Sequence, residues 1–489
     1  MAARALPSFA RGALSYSAVV ALGAAIGVLT TPFTTRVYDP ATLGRVNLFG
    51  AYLALMQVLS LIGLDQGYMR FYSERVTAVA RFRLLRHCMT RSALAWSLWG
   101  VMLWFLWRQI SVSIAGEPRW DVVVVLLLAS LGSTLFRFAQ VWSRVSGLAG
   151  DFLRLTLVFA ILTKVSVVAA GILSPDYMTG ILFLGCGYVI VGVYAVVLVL
   201  RRAPRLPTEE DSRGVPDGRP LLRYSLPFLA TGLLSLVATS LVSIPVERFL
   251  GFDAVGVLGA GLSLASFVVV LQMGIQSYWA PYAYAIHRIG PNELRSAQQV
   301  VILVMCAVGL LAVAASPVLF LLVGAAFRPA ADFFGLLLAP GVLALVGEVG
   351  GIGLLLAKRS WLYSAAQGIG AVVTVLGCIW LLPISGLVGA GTAMTLGALT
   401  AAALRVALAR ASFRPFARPS RALGTAVLFL VPVALQALSA RPFAIPAEVW
   451  ASAALGTLLI VNRLEVARIG AAAHREFGAV LGKLRGRPS

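Results

Sequence analysis

Apolar runs of about twenty residues recur from Ala13 almost to Asn462, each long enough as a helix to cross a hydrocarbon core of about 30 Å. Backbone inside lipid must satisfy its own hydrogen bonds, so a chain made of such runs folds as packed helices. Of the 489 residues 60% are hydrophobic and only 12% charged, with a mean hydropathy of +0.90; soluble domains carry about 25% charge. A soluble globular fold is excluded, and the expected class is an all-α polytopic membrane protein.

Spans are expected near 13–33, 46–64, 92–114, 121–142, 153–173, 179–200, 224–246, 257–279, 299–322, 334–356, 361–381, 387–409, 422–439 and 443–462, fourteen helices in all. The first follows Arg4 and Arg11 as a signal peptide would, yet it is long and many spans come after it, so we read it as a retained helix. With the N-terminus inside, the cytoplasmic pieces hold 32 Lys and Arg and the outer loops 7, an asymmetry that puts both termini in the cytoplasm. The net charge of +21 therefore sets orientation, and nucleic acid is not an expected partner.

The stretch 201–223 is rich in Pro, Gly and mixed charge, and separates residues 1–200 from 224–409, six helices on either side, with two further helices and a basic tail in 410–489. A repeat supports the division. Leu14-Ser15-Tyr16-Ser17 is echoed by Leu222-Arg223-Tyr224-Ser225, and Arg36 precedes Gly44 as Arg248 precedes Gly256. A repeat of six helices keeps both copies in the same direction through the membrane, which implies two pseudo-symmetric bundles about an axis along the membrane normal.

No phosphate-cradling loop ending in Gly-Lys-Ser/Thr is present, so ATP is not the expected direct power source. His87, His287 and His474 form no metal or catalytic pattern, and Cys88, Cys186, Cys306 and Cys378 stand apart, so neither an enzyme, a metal site nor a cofactor is expected. Charges inside spans are the informative residues, since each costs about 2.5 to 3.5 kcal/mol on insertion scales unless it meets water or a partner. Lys164 lies midway along the fifth span and reads as a cationic site for an anionic substrate, or as half of a buried pair. Arg137, Gln140 and Arg144 share one face at the inner end of the fourth span, where forked donors suit a phosphate and interface anchoring is the plainer role. Arg70, between Asp65 and Glu74, is a further candidate whose plain reading is local salt bridging.

Glu348, among Gly347, Gly350, Gly351 and Gly353 near the middle of the tenth span, can take up and release H+ or Na+, or pair with Lys164 or an arginine; Asp65 is the next candidate for ion coupling. Gln57, Gln272, Gln276 and Gln367 read as interhelical hydrogen-bonding residues, and Trp104, Trp107, Trp120, Tyr278 and Trp279 as interfacial belt. Arg36 and Arg248 close their helices on the outer side and read as caps and loop anchors, with substrate contact as the alternative.

The segment TTRVYDPATLGRVNLFGAYLALMQVLSLIGLDQGYMRFYSE resembles the N-terminal region of Wzx-type polysaccharide flippases of the multidrug/oligosaccharidyl-lipid/polysaccharide exporter superfamily. The likeness rests on Arg36, the Asp39-Pro40 turn, Gly44, and the run from Gly63-Leu64-Asp65 to Arg70-Phe71, with an echo at Arg248 and Gly256. The resemblance implies movement of an undecaprenyl-diphosphate-linked oligosaccharide across the bacterial cytoplasmic membrane by alternating access, with membrane lipids and a polysaccharide polymerase as partners. The competing readings are an exporter of peptidoglycan lipid precursor or small drugs, and a membrane glycosyltransferase, polymerase or ligase.

Overall fold

The structure is a computed structural model that describes residues 25–72, 74–75, 77–203, 218–287, 290–357, 359–413, 416, 419–438 and 447–461. Among them the chain is helical throughout, with eight helices long and apolar enough to cross a membrane, or ten when two bent pairs are each taken as one span. The first repeat motif, Leu14 to Ser17, and the basic tail lie outside the described residues.

Helix α1 covers 25–37 and ends at a turn on Tyr38-Asp39. Asp39 then caps α2 (Pro40–Leu61) by accepting from the Thr42 amide at 2.7 Å, with Pro40 at the first helical position where its missing N–H costs nothing. Ile62 and Gly63, both with positive φ, bend the chain by 47° into α3 (Leu64–Tyr72). Helix α4 (Ala78–Phe105) starts on a Thr77 cap; α5 (Trp107–Ala115) turns off it by 80° and packs against α2 and α6, so the span expected at 92–114 is not straight. Helices α6 (Trp120–Val145), α7 (Ala149–Leu173) and α8 (Tyr177–Arg201) complete this group.

Helix α9 (Gly218–Val237) begins within the stretch expected to be a linker, whose central residues lie outside the described set. A short turn at Ser240–Val242 leads to α10 (Ser243–Ile286), α11 (Pro291–Ala314), α12 (Phe334–Gly350), α13 (Ser360–Ala409), α14 (Pro419–Leu438) and α15 (Ala447–Val461). At about 1.5 Å per residue α13 would be far longer than a bilayer is thick. Gly386, at φ 56° and ψ −137°, breaks it into two antiparallel arms: Gly377 faces Ala393 and Gly370 faces Ala401. Gly251, at φ 83°, interrupts α10 with a kink, and 252–286 continues beyond it as a separate helix.

Helices α2, α4, α6, α7 and α8 pack on one another, as do α10 to α14, with α15 against α11 and α14. The two groups meet where α2 crosses 252–286 and where α9 lies against α3. The first crossing is reciprocal. A Cβ on Gly44 would lie 2.0 Å from the Phe252 carbonyl oxygen, and one on Gly256 would lie 2.0 Å from that of Pro40. Pro40 and Phe252 each precede their glycine by four residues, so the repeat exchanges the two contacts, as a pseudo-twofold axis through the crossing requires. Arg36 and Arg248, the companion residues of this motif, are both exposed. We call the face of Asp39 and Gly251 outer, following the charge asymmetry.

Candidate functional site

Three adjoining cavities run inward from the reciprocal crossing. The outermost, about 270 Å³, is lined by threonines of α1, Asn47 of α2, Lys164 of α7, Tyr188 of α8, and Gly259 and Ser263 of α10. The next, about 380 Å³, shares Lys164, Thr163, Phe159 and Tyr188 with it and adds Gln57, Arg137 and Gln140. The innermost, about 370 Å³, shares Gln57 and Arg137 and adds Asp65, Gln66 and the α9 residues Phe228, Thr231 and Ser235. Shared lining residues make these one file of space, with the second helix group lining its outer and inner cavities and α2, α6, α7 and α8 alone lining the middle one.

Lys164 is presented by a local change in helix type. Residues Ile161–Val165 form a single π turn inside α7, which inserts an extra residue and re-aims the side chains that follow. The turn is held by the Thr163 hydroxyl donating to the Phe159 carbonyl at 2.7 Å and by the Ser166 hydroxyl donating to that of Leu162. Gly187 of α8 lets the neighbouring helix close onto it, since a Cβ there would lie 2.3 Å from the Leu162 carbonyl oxygen. The Lys164 side chain is exposed to the cavity at mid-span, and among the described residues no carboxylate pairs with it. That leaves a charge in a low-dielectric setting whose compensation must come from water or a ligand.

Arg137 is placed differently. Its Nε and Nη2 donate to Asp65 Oδ2 at 3.1 and 2.9 Å, and its Nη1 donates to Gln140 Oε1 at 3.3 Å. Asp65 is 5% exposed and also accepts from Gln66. The pair ties α3, just past the bend at Ile62-Gly63, to α6. One expected substrate cation and one expected coupling carboxylate thus neutralise each other on the cavity wall. Gln57 donates to the Ser133 carbonyl at 3.0 Å across the α2–α6 contact, in the interhelical role expected of it.

Arg144 and Arg70 lie beyond the cavities at the inner end: Arg144 is exposed, and Arg70 is exposed and pairs with Glu74 at 2.8 Å. Glu348 does not reach Lys164. It lies in the last turn of α12, nearer the inner end than the middle of the span, buried among the α10–α14 helices, and accepts from the Tyr363 hydroxyl. Arg405 stacks on the Tyr363 ring at 3.7 Å and donates to Gln367 Oε1 at 2.7 Å, forming a buried polar cluster separate from the cavity file. Arg405 sits inside an apolar run, the same sequence signal that marks Lys164. At the outer rim Arg45 lies between the rings of Tyr177 and Phe252, 4.8 and 4.7 Å from their centres, one from each helix group. Trp279, expected at the interface, is instead 3% exposed in the core.

No protein-family profile matches the chain, and no curated protein sequence does. Solved structures do match. The lipid II flippase MurJ in an inward closed conformation is similar at 13% identity and a TM-score of 0.64, over 94% of this chain and 99% of that one. An inward-facing multidrug resistance MATE family transporter of the MOP superfamily matches at 12% identity and 0.55 over 79% and 94%, and an outward-facing one at 13% and 0.53 over 82% and 95%. These neighbours are transporters and flippases, and the likeness covers from 79% to 94% of this chain. The chain is a multi-pass membrane protein whose all-helical fold is similar to that of these structures.

Proposed function

We propose that this protein flips an undecaprenyl-diphosphate-linked oligosaccharide from the inner to the outer leaflet of a bacterial cytoplasmic membrane, for polysaccharide export. The observation that carries the reading is the uncompensated Lys164 in a cavity file lined by both helix groups and shut at its outer end by the Gly44–Gly256 crossing. Such a file admits a polar head group from the inner side while the lipid tail stays in the bilayer. In our reading residues 1–200 and 224–409 are the two rocking bundles, both termini are cytoplasmic, and alternating access exchanges the outer crossing for an inner one.

Lys164 and Arg137 contact the head group, and Arg70 and Arg144 gather its phosphates at the mouth. An anion arriving at Arg137 competes with Asp65 for the guanidinium, and so loosens the tie that holds α3 beside its bend. A ligand shifts such an equilibrium only through its different affinity for the two arrangements, and this exchange of partners supplies one. Direction comes from an ion gradient acting at Glu348 or from consumption of the product by a polysaccharide polymerase outside. The likeness to MurJ keeps export of a peptidoglycan lipid precursor as the second reading.

The test is export in cells. Lys164→Ala should abolish glycan export at unchanged protein abundance, and Lys164→Arg should keep part of it. Normal export by Lys164→Ala removes the cationic-site reading at its strongest residue. Rescue of a strain lacking its peptidoglycan-precursor flippase, with no effect on a polysaccharide, favours the second reading.

A further inference from the structure

The cations of the cavity file differ in depth and surroundings. Helix α7 rises about 22 Å from Ala149 at its inner end to Lys164, whereas α6 descends about 12 Å from Arg137 to Val145, so Lys164 lies roughly 10 Å deeper. Arg137 has the charged Asp65 beside it, while among the described residues Lys164 is the one charged residue lining the outermost cavity. Around it stand Thr30, Thr31, Thr34, Asn47 and Ser263, with the Tyr188 ring.

The threonine hydroxyls are committed as donors. Thr30 and Thr31 donate to the Gly27 carbonyl at 3.0 and 2.9 Å, and Thr34 donates to that of Thr31 at 3.0 Å. Their oxygens therefore face the cavity as acceptors, and acceptors suit the hydroxyl groups of a sugar. The donors left over are the Lys164 ammonium and the hydroxyls of Ser263 and Tyr188, while the Asn47 amide nitrogen is buried against Gly259. A wall of acceptors with an aromatic face and one monovalent cation fits a sugar ring bearing a single negative charge. A diphosphate there would leave at least one charge unbalanced in a low-dielectric site.

We propose that Lys164 and the threonine-lined wall around it form a glycan station that takes a sugar carrying a carboxylate, distinct from the diphosphate station nearer the inner end at Arg137. The inference rests on the lipid-linked oligosaccharide reading and narrows it to acidic glycans. The lipid tail keeps the diphosphate near the inner interface, at the level of Arg137 and below, while the glycan extends outward along the file to Lys164.

The test uses the full-length protein in nanodiscs and two probes: a polyprenyl diphosphate carrying a neutral disaccharide, and the same lipid whose terminal sugar is a glucuronate. The wild type should bind the glucuronate probe about tenfold more tightly, equivalent to about 1.4 kcal/mol. Lys164→Gln should bring the glucuronate probe down to the level of the neutral one, and Lys164→Arg should keep the preference, which separates loss of charge from loss of fold. Equal binding of both probes by the wild type overturns the proposal. So does a Lys164→Gln variant that loses both probes in equal measure, because Lys164 would then serve the diphosphate. Failure of both probes to outbind the polyprenyl alcohol refutes the lipid-linked reading itself.

Discussion

Adding one methyl group at the reciprocal crossing should open the outer side of the protein. In Gly256→Ala the new Cβ would lie 2.0 Å from the Pro40 carbonyl oxygen, and in Gly44→Ala 2.0 Å from that of Phe252, so the helices must separate by more than 1 Å to reach ordinary contact. Backbone cannot rotate aside as a side chain can. Overpacking of this kind costs about 1–3 kcal/mol, and here the cost falls on the outer-closed arrangement alone, because the helices part in the other. A difference of about 1–3 kcal/mol corresponds to a population shift of roughly 5- to 150-fold. The assay is labelling of a cysteine at Ser263, on the cavity wall, by an impermeant maleimide added outside intact cells, with Cys88, Cys186, Cys306 and Cys378 replaced first. Labelling should rise at least about 5-fold in either glycine variant, and stay at the wild-type level in Gly424→Ala, where a Cβ meets nothing within 4 Å. The double variant should add less than the sum of the two, because one substitution already parts the seam that both share. Unchanged labelling in both single variants at normal abundance would refute the crossing as the outer closure.

Arg137→Ala leaves the 5%-exposed Asp65 without its cation and should cost about 1–3 kcal/mol of stability, less than a fully buried pair because Arg137 faces the cavity; thermal unfolding in detergent should show this, and Asp65→Asn added to it should restore stability but not transport. Glu348→Gln keeps a group that can accept from Tyr363 but cannot change charge, so transport in vesicles should persist without its dependence on the ion gradient; gradient-dependent transport by this variant removes Glu348 from coupling. Reporters fused after residue 210 or at the C-terminus should read cytoplasm, and those near Asp176 or Ser385 outside; an outside signal at 210 overturns the assigned orientation.

The helices were legible because lipid imposes length and apolarity, and the starts at Asp39-Pro40 and Asp176 carry their own capping residues. The kink at Gly251 and the reversal at Gly386 fall between spans that the sequence already separates. The bend of α5 away from α4 was hidden, because an interfacial helix and the end of a spanning one share the same apolar residues. Lys164 could be picked out by its cost in lipid, but the π turn that presents it depends on the close approach of Gly187, a tertiary fact. The Arg137–Asp65 pair joins residues from separate helices, and nothing local in either segment names its partner. Glu348 stands out by its depth, whereas its partner Tyr363 and the Arg405 that stacks on Tyr363 come from the two arms of α13 and meet only in the folded bundle.

The central claim is that this fold moves a lipid-linked glycan across a bilayer without ATP. The direct measurement is translocation of a fluorescent polyprenyl-diphosphate oligosaccharide in vesicles holding only the purified protein, read as the fraction of probe that an impermeant quencher can no longer reach. Wild-type vesicles should carry probe from one leaflet to the other without nucleotide, and Lys164→Ala vesicles should stay at the level of protein-free ones. Translocation by Lys164→Ala at the wild-type rate, or none by the wild type under either direction of ion gradient, would contradict the account.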